Sequence, residues 1–66
     1  MKAMKIMTEK TEELGGVIDP AGMCWVWAHE FTEKNAKEFE KWLDENRVDY
    51  RGPYDNADDT FSVRFR

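Results

Sequence analysis

The segment from Met23 to Phe31, with the sequence MCWVWAHEF, is the most hydrophobic part of a polar 66-residue chain, and the other elements have to cover it. Side chains in a strand alternate between two faces. The odd positions carry Met23, Trp25, Trp27, His29 and Phe31. The even positions carry Cys24, Val26, Ala28 and Glu30. The alternation therefore predicts a strand over about 23–30 with one large aromatic face and one small face.

The residues before this strand are patterned less clearly. Met4 and Ile6 flank Lys5, and this alternation predicts a first strand over 2–8. The charged segment 8–14 ends at Gly15 and Gly16, which fits either a turn of helix closed by glycine or a loop. An apolar pair at 17–18 precedes Asp-Pro-Ala-Gly at 19–22, where we expect a turn.

The segment 33–46 carries the strongest helix pattern. Thr32 suits the N-cap position, and Glu33 lies in the first turn, where the helix dipole favours an acid. The apolar residues recur at intervals of three and four, as on one face of a helix. They are Ala36, Phe39, Trp42 and Leu43. We predict a helix over 33–46 whose outer face, rich in Glu and Lys, lies in water.

The last third of the chain predicts a hairpin. Residues 48–51 and 60–66 alternate between apolar and polar, with Gly52, Pro53 and the turn cluster 55–59 between them. The predicted order is β-β-α-β-β. We expect one α+β domain over 1–66, a small four-stranded antiparallel-rich sheet with one helix packed on one face.

One helix covers one face of this sheet. Toward Ala36, Phe39 and Leu43 of the helix we expect the larger apolar side chains, namely Met4, Ile6, Trp25, Trp27, Val48, Tyr50, Phe61, Val63 and Phe65. The opposite face then holds Lys5, Cys24, Val26, Ala28, Asp49, Arg51, Ser62, Arg64 and Arg66. If the helix packed on the other side, the rings of Trp25 and Trp27 would be exposed instead.

The chain contains no motif that predicts catalysis. Cys24 and His29 are five residues apart in one strand, so their side chains point to opposite faces and form no Cys-His pair. The acidic cluster 55–59 lacks the spacing of a calcium loop and is typical of a hairpin turn. We therefore predict a protein that is not an enzyme and that has no cofactor and no metal site.

The single cysteine and the N-terminal sequence predict the cellular compartment of the protein. Cys24 allows no internal disulfide and no zinc-ligand pair, which fits the reducing cytoplasm. The first seven residues are interrupted by lysines and predict neither a signal peptide nor a membrane span. We expect a complete, soluble cytoplasmic protein.

Charge is divided along the chain. Segments 9–19, 30–45 and 55–59 each carry a net charge of −3, and the remaining segments carry +5, which gives the overall −4. The helix and loops are thus acidic, whereas the strands are basic. We expect an electrically two-sided molecule.

The first functional hypothesis is a non-catalytic binding protein or inhibitor that targets a basic surface of a host enzyme or nucleic-acid-binding protein. Its contact residues would be the acids Glu40, Asp44, Asp55, Asp58 and Asp59. A small, acidic, Trp-rich chain without catalytic groups resembles, in general character and in no particular motif, phage-encoded proteins that inhibit host enzymes, including anti-restriction and anti-CRISPR proteins.

Two alternatives use the open sheet face. Single-stranded nucleic acid would be held by the basic residues Lys5, Arg51, Arg64 and Arg66. This alternative ranks lower because the predicted faces bury the aromatic rings that would stack on bases. The other alternative is a homodimer formed through Cys24, Val26 and Ala28.

Overall fold

The structure is a computed structural model that describes residues 3–19 and 24–66. It is an α+β fold with one four-stranded antiparallel sheet in the order β1-β2-β4-β3. The elements along the chain are α1 (Met4–Glu13), β1 (Val17–Asp19), β2 (Val26–Phe31), α2 (Glu33–Glu45), β3 (Tyr50–Asp55) and β4 (Phe61–Phe65). Within the described ranges, neither helix has the length and apolar character that crossing a bilayer requires.

The first element differs from the prediction, because residues 4–13 form helix α1 and not a strand. Met7 and Thr11, four residues apart, are buried, and the Thr11 hydroxyl donates to the Met7 carbonyl over 2.8 Å. The glycine-closed helix, one of the two options for 8–14, is confirmed. Gly15 has a φ of +81°, and Gly16 donates its N–H to the Thr11 carbonyl over 2.9 Å. This is a Schellman end, which glycine permits because it has no Cβ.

The molecule keeps four strands because Val17–Asp19 pairs with β2 as an additional edge strand. The predicted order β-β-α-β-β with a single helix is not confirmed, because the structure has two helices, whereas the α+β class and the four-stranded antiparallel sheet are confirmed. The predicted strand at 48–51 begins at Tyr50 and continues to Asp55. Gly52 and Pro53 form a bulge inside this strand rather than its end, since β3 advances three residues between pairs where β4 advances two.

Helix α2 packs its predicted apolar face on the sheet. The Thr32 side chain accepts a hydrogen bond from the Asn35 N–H over 3.1 Å, as expected of the N-cap. Phe39 lies at the centre of the core, with ring centroids 5.2 Å from Phe31 and 5.9 Å from Phe65. The apolar core is Met7, Ala28, Phe31, Ala36, Phe39, Leu43, Val48, Val63 and Phe65. Met7 of α1 joins this cluster, so both helices cover the same face.

Strand β2 turns its face with the small side chains toward the helices, whereas the prediction placed its tryptophan face there. Ala28 pairs with the buried Val63, whereas Trp27 pairs with Arg64. Since residues paired across antiparallel strands share a face, Val26 and Ala28 lie on the covered side, and Trp25 and Trp27 do not. The assignment of both tryptophans to the core is wrong.

A bulge and a volume argument explain this reversal. Ala28 is fully buried, and its small side chain leaves space for the rings of Phe39 and Phe65. A tryptophan at this position would occupy that space. Glu30 has a φ of 69°, and β2 advances three residues between Ala28 and Phe31 while β4 advances two. The bulge brings Phe31 onto the same face as Ala28. The core therefore receives its aromatic volume from Phe31 without Trp27.

Candidate functional site

A row of side chains crosses the sheet on the face turned away from both helices, which we call the open face. Trp27 pairs with Asp19 of β1 and with Arg64 of β4, and Arg64 pairs in turn with Arg51 of β3. The row is thus an acid, an aromatic ring and two arginines. The open face also carries Trp25, His29, Tyr54, Ser62 and Arg66.

Arg64 lies among three aromatic rings at the centre of this face. Its Cζ is 4.8 Å from the ring centroid of Trp25, 5.7 Å from that of Trp27 and 5.6 Å from that of Tyr54. The Trp27 and Tyr54 rings also contact each other, with centroids 5.5 Å apart. Ring faces attract cations, so the three rings hold the guanidinium in place.

Arg64 lacks a carboxylate partner within the described part of the chain. The four ion pairs there involve Lys10, Lys37, Arg51 and Arg66 as cations. The Arg64 Nε is buried and has no hydrogen-bond partner among residues 3–19 and 24–66. A buried N–H of a charged group without an acceptor is unfavourable. Arg64 carries a charge that no carboxylate among the described residues balances, and this charge suits it to contact an anion.

Two more arginines, Arg51 and Arg66, lie over the Trp25 ring at the edge of the sheet. The Arg66 Cζ is 4.3 Å and the Arg51 Cζ is 5.4 Å from its ring centroid. Both arginines also pair with Asp49, at 2.7 Å for Arg51 and 3.1 Å for Arg66. The hydrogen bonds from these two guanidinium groups hold the pKa of Asp49 below its ordinary value. Asp49 thus neutralises part of the edge charge, while no carboxylate in the described part of the chain pairs with Arg64 at the centre.

The pairing of Arg51 with Arg64 brings two like charges directly opposite each other in neighbouring strands. Such cross-strand pairs destabilise a sheet. The rings and Asp49 offset the repulsion here, because both arginines contact Trp25 and Arg51 also binds Asp49. A phosphate bound between the two guanidinium groups would remove the repulsion, and arginine is well suited to bind phosphate.

A shallow hollow adjoins Trp27 at the β2 bulge. Its lining consists of Asp19, Trp27, His29, Asn56 and Ser62. One aromatic ring and four polar side chains are therefore brought together from three strands and the β3–β4 connection.

The predicted acidic residues divide between α2 and the β3–β4 turn. Glu40 and Asp44 are one helical turn apart, and burial together with the charge of Asp44 raises the pKa of Glu40. Both acids also raise the pKa of Tyr50, for which burial is the larger cause. In the turn, the Asp55 carboxylate accepts from the Ala57 N–H over 2.8 Å.

Asp58 and Asp59 complete the turn. The Asp58 carboxylate accepts from the N–H and the hydroxyl of Thr60, and these bonds lower its pKa. Asp59 has a φ of 69° and is exposed. Asp55 and Asp58 thus build the turn with their carboxylates, and they share no element with Glu40 and Asp44.

Two predicted surfaces need correction. Lys5 is exposed on α1, so it does not belong to the open sheet face on which Arg51, Arg64 and Arg66 lie. The predicted dimer patch does not exist as a sheet face, because Ala28 is fully buried and Val26 packs against the core. Cys24 is exposed and precedes β2.

The ring-bearing residues of the open face were missing from the sequence-based site. Trp25, Trp27 and Tyr54 are the three rings around Arg64. The pattern did contain a signal for two of them, since Trp25 and Trp27 alternate as Arg64 and Arg66 do. Placing these two alternations on one face would have identified the site.

Comparisons of the chain with protein-family models, with curated proteins and with solved structures give no match.

Proposed function

We propose that this protein binds single-stranded nucleic acid on its open face. The observation that carries the proposal is the position of Arg64 among the rings of Trp25, Trp27 and Tyr54 on the face that the helices leave uncovered. Proteins that bind single strands combine basic groups along the backbone with aromatic rings on which bases stack. Arg51, Arg64 and Arg66 would contact phosphate, and the rings would contact bases.

The degree of exposure supports this use of the rings. Tyr54 is 38% exposed, and Trp25 and Trp27 are partly buried by the arginines that lie over them. Guanidinium planes and aromatic rings both serve as stacking surfaces for unpaired bases. A base can therefore stack on Tyr54 directly or on the arginine layer above the tryptophans. Stacking on an aromatic ring contributes about 1–3 kcal/mol per base.

The net charge of −4 is compatible with this function because the charge is unevenly distributed. Helix α2, which carries several of the acids, packs on the other side of the sheet. Negative charge there repels a polyanion, whereas the arginines attract it. The two-sided field would direct a nucleic-acid strand to the open face.

The experiment measures binding of a fluorescent oligothymidine of about twelve nucleotides by anisotropy, over roughly 50–200 mM salt. If three arginines contact phosphates, the logarithm of the binding constant should fall against the logarithm of salt concentration with a slope of about −2. Arg64→Ala should weaken binding about tenfold, since it removes a charged hydrogen-bonding group and a stacking plane.

Lys37→Ala is the matched control. It removes one positive charge from an exposed position on α2, away from the open face. We expect its affinity to equal that of the wild type. Absence of binding to single strands at the lowest salt concentration, or equal losses for Arg64→Ala and Lys37→Ala, would refute the proposed function.

A second candidate function is binding of a basic protein surface through the acids of α2. The specific observation in its favour is the proximity of Glu40, Asp44 and Tyr50. Burial, followed by the charges of the two carboxylates, raises the pKa of the Tyr50 phenol, and burial, followed by the charge of Asp44, raises the pKa of Glu40. Concentrated negative charge speeds encounter with a basic partner.

The test of this second candidate is affinity capture with the wild type and with a variant in which Glu40, Asp44, Asp58 and Asp59 are changed to lysine. Loss of a captured protein by the variant, with its circular dichroism unchanged, would support the acidic surface. Equal capture by both proteins would rule it out. Arg64→Ala separates the two candidates, because it should leave capture through the acidic surface unaffected.

A further inference from the structure

Three arginines converge on one ring at one end of the open face. The Cζ atoms of Arg51, Arg64 and Arg66 all lie within 5.4 Å of the ring centroid of Trp25. These residues come together because β2 and β3 begin, and β4 ends, at the same end of the antiparallel sheet. We call Arg51, Arg64 and Arg66 the arginine corner.

The other end of the open face has a different character. The hollow there is lined by Asp19, Trp27, His29, Asn56 and Ser62. Within the described ranges, the open face carries lysine or arginine only in the arginine corner. Proteins that bind a long single strand along a groove place basic groups along the path of its backbone. A concentration of cations at one end fits a single phosphate position better than such a path.

Asp49 uses only part of the hydrogen-bonding capacity of the arginine corner. Its carboxylate accepts from Nη1 of Arg51 over 2.7 Å and from Nε of Arg66 over 3.1 Å. A guanidinium group has five N–H donors. Among the described residues, the Arg66 side chain makes no other hydrogen bond, so both of its terminal nitrogens can donate to a ligand. One carboxylate also leaves the three guanidinium groups with an excess of positive charge.

A phosphate at the end of a strand matches this excess better than a phosphate within the strand. An internal phosphodiester carries one negative charge, whereas a phosphomonoester carries about −1.5 to −2 at neutral pH and has three acceptor oxygens. Guanidinium groups bind such oxygens through paired N–H donors. Arg64 also contacts the rings of Trp27 and Tyr54, so the base beside the bound phosphate would have a stacking surface. Resting on the proposed function, we infer that the arginine corner binds the terminal phosphate of a single strand.

The test uses unlabelled oligothymidines of about four nucleotides as competitors of a labelled strand, followed by anisotropy. One competitor has hydroxyl groups at both ends, a second has a 5′-phosphate, and a third has a 3′-phosphate. We expect one phosphorylated strand to bind about tenfold more tightly than the hydroxyl-ended strand, and this strand identifies the end that is bound.

A longer hydroxyl-ended strand with the same total charge is the control for charge alone. It should bind less tightly than the preferred phosphorylated strand. If neither phosphorylated strand binds more tightly than this control, the inference is wrong, while binding of the hydroxyl-ended strands still supports the proposed function. Absence of binding to every strand would overturn both.

Two variants assign the preference to the arginine corner. Arg66→Gln removes one guanidinium group, so the preference for the phosphorylated strand should fall to less than about threefold. Arg47→Gln makes the same change at an exposed position in the α2–β3 connection and should keep the full preference. If Arg66→Gln also keeps the full preference, the arginine corner does not hold the terminal phosphate and the inferred site is wrong.

Discussion

Trp27 and Arg64 lie directly opposite each other in β2 and β4, with the guanidinium carbon 5.7 Å from the centre of the indole ring. The pair lies on the face that neither helix covers. The hollow beside Trp27 is on one side of it, and Arg51 is on the other. Both parts of the proposed interface therefore meet at this pair. A strand of nucleic acid crossing it would contact a cation and a stacking surface within one nucleotide.

Arg64→Lys separates charge from stacking at this pair. The lysine retains the positive charge but loses the planar group that contacts three rings. We expect oligothymidine affinity to fall about threefold to tenfold while the slope of the salt dependence stays near that of the wild type. The measurement is anisotropy at several salt concentrations.

Arg47→Lys, outside the strands in the α2–β3 connection, is the control for this exchange and should bind as the wild type does. If Arg64→Lys also binds as the wild type does, the planar contact of the guanidinium has no part in binding.

Asp49→Asn should strengthen binding of single strands. The Asp49 carboxylate pairs with Arg51 and Arg66, so its removal releases two cations for phosphate contacts. We expect about a twofold to fivefold gain at 50 mM salt and a steeper salt dependence. Asp44→Asn removes the same charge from α2 and should give a smaller gain. Equal gains for the two variants would show that only net charge matters.

Asp49 also gives a pH dependence with a definite sign. Its pKa is lower in the folded protein than the ordinary 3.8, so its ion pairs stabilise the fold above that value. The stabilisation is lost as pH falls through the lowered pKa. In acid titrations followed by circular dichroism, the wild type should therefore lose stability below pH 3.8 by more than Asp49→Asn does. Identical acid transitions would contradict the assignment.

The sequence was sufficient to predict the elements whose pattern is long or unambiguous. Helix α2 was predicted within one residue because its cap at Thr32 and its apolar face agree with each other. Strand β4 was predicted with the correct face, since Val63 and Phe65 alternate with Ser62 and Arg64 and are buried. In both cases the local pattern and the packing in the fold favour the same arrangement.

Two features depended on information that a local pattern does not contain. The three residues Met4, Lys5 and Ile6 are too few to distinguish a strand from a helix. The burial of Met7 and Thr11, four residues apart, fits the helix. In β2, either face could have packed under α2. The choice depended on the total volume in the core, where Phe31, Phe39 and Phe65 leave space for alanine and not for tryptophan. The open-face rings were missed for this reason.

Glu40→Gln should stabilise the protein at neutral pH. The Glu40 Oε2 is buried and has no hydrogen-bond partner among the residues that the structure describes, and burial followed by the charge of Asp44 raises the pKa of this carboxyl. The folded state therefore binds the proton more tightly than the unfolded state, so stability falls as pH rises from 4.5 through the raised pKa. The gain at neutral pH should be about 0.5 kcal/mol or less, because the group is partly solvated.

Urea unfolding at several pH values measures the effect of Glu40→Gln. The variant should lack the part of the wild-type decline in stability that lies just above pH 4.5. Glu38→Gln, on an exposed position of the same helix, is the matched control and should retain that decline. A Glu40→Gln variant as pH-dependent as the control would show that another group causes the decline.

Gly16→Ala tests the packing of Phe31, at the end of the β2 bulge, against the connection between α1 and β1. A Cβ on Gly16 would lie 2.7 Å from Cζ and 2.9 Å from Cδ1 of the Phe31 ring. That ring is only 1% exposed and packs on Phe39, so it has little space to move. We expect a loss of about 1–3 kcal/mol in the free energy of unfolding, as for other overpacked cores.

The neighbouring glycine provides the contrast, since a Cβ on Gly15 would meet no atom within 4 Å but would sit at a φ of +81°. Asparagine tolerates this backbone region, so Gly15→Asn should be less destabilising than Gly15→Ala. At Gly16, where the obstacle is the Phe31 ring, Gly16→Asn should be at least as destabilising as Gly16→Ala. Denaturant unfolding of the four variants checks this order. If Gly16→Asn were more stable than Gly16→Ala, the backbone conformation, and not the contact with Phe31, would be the reason for glycine at this position.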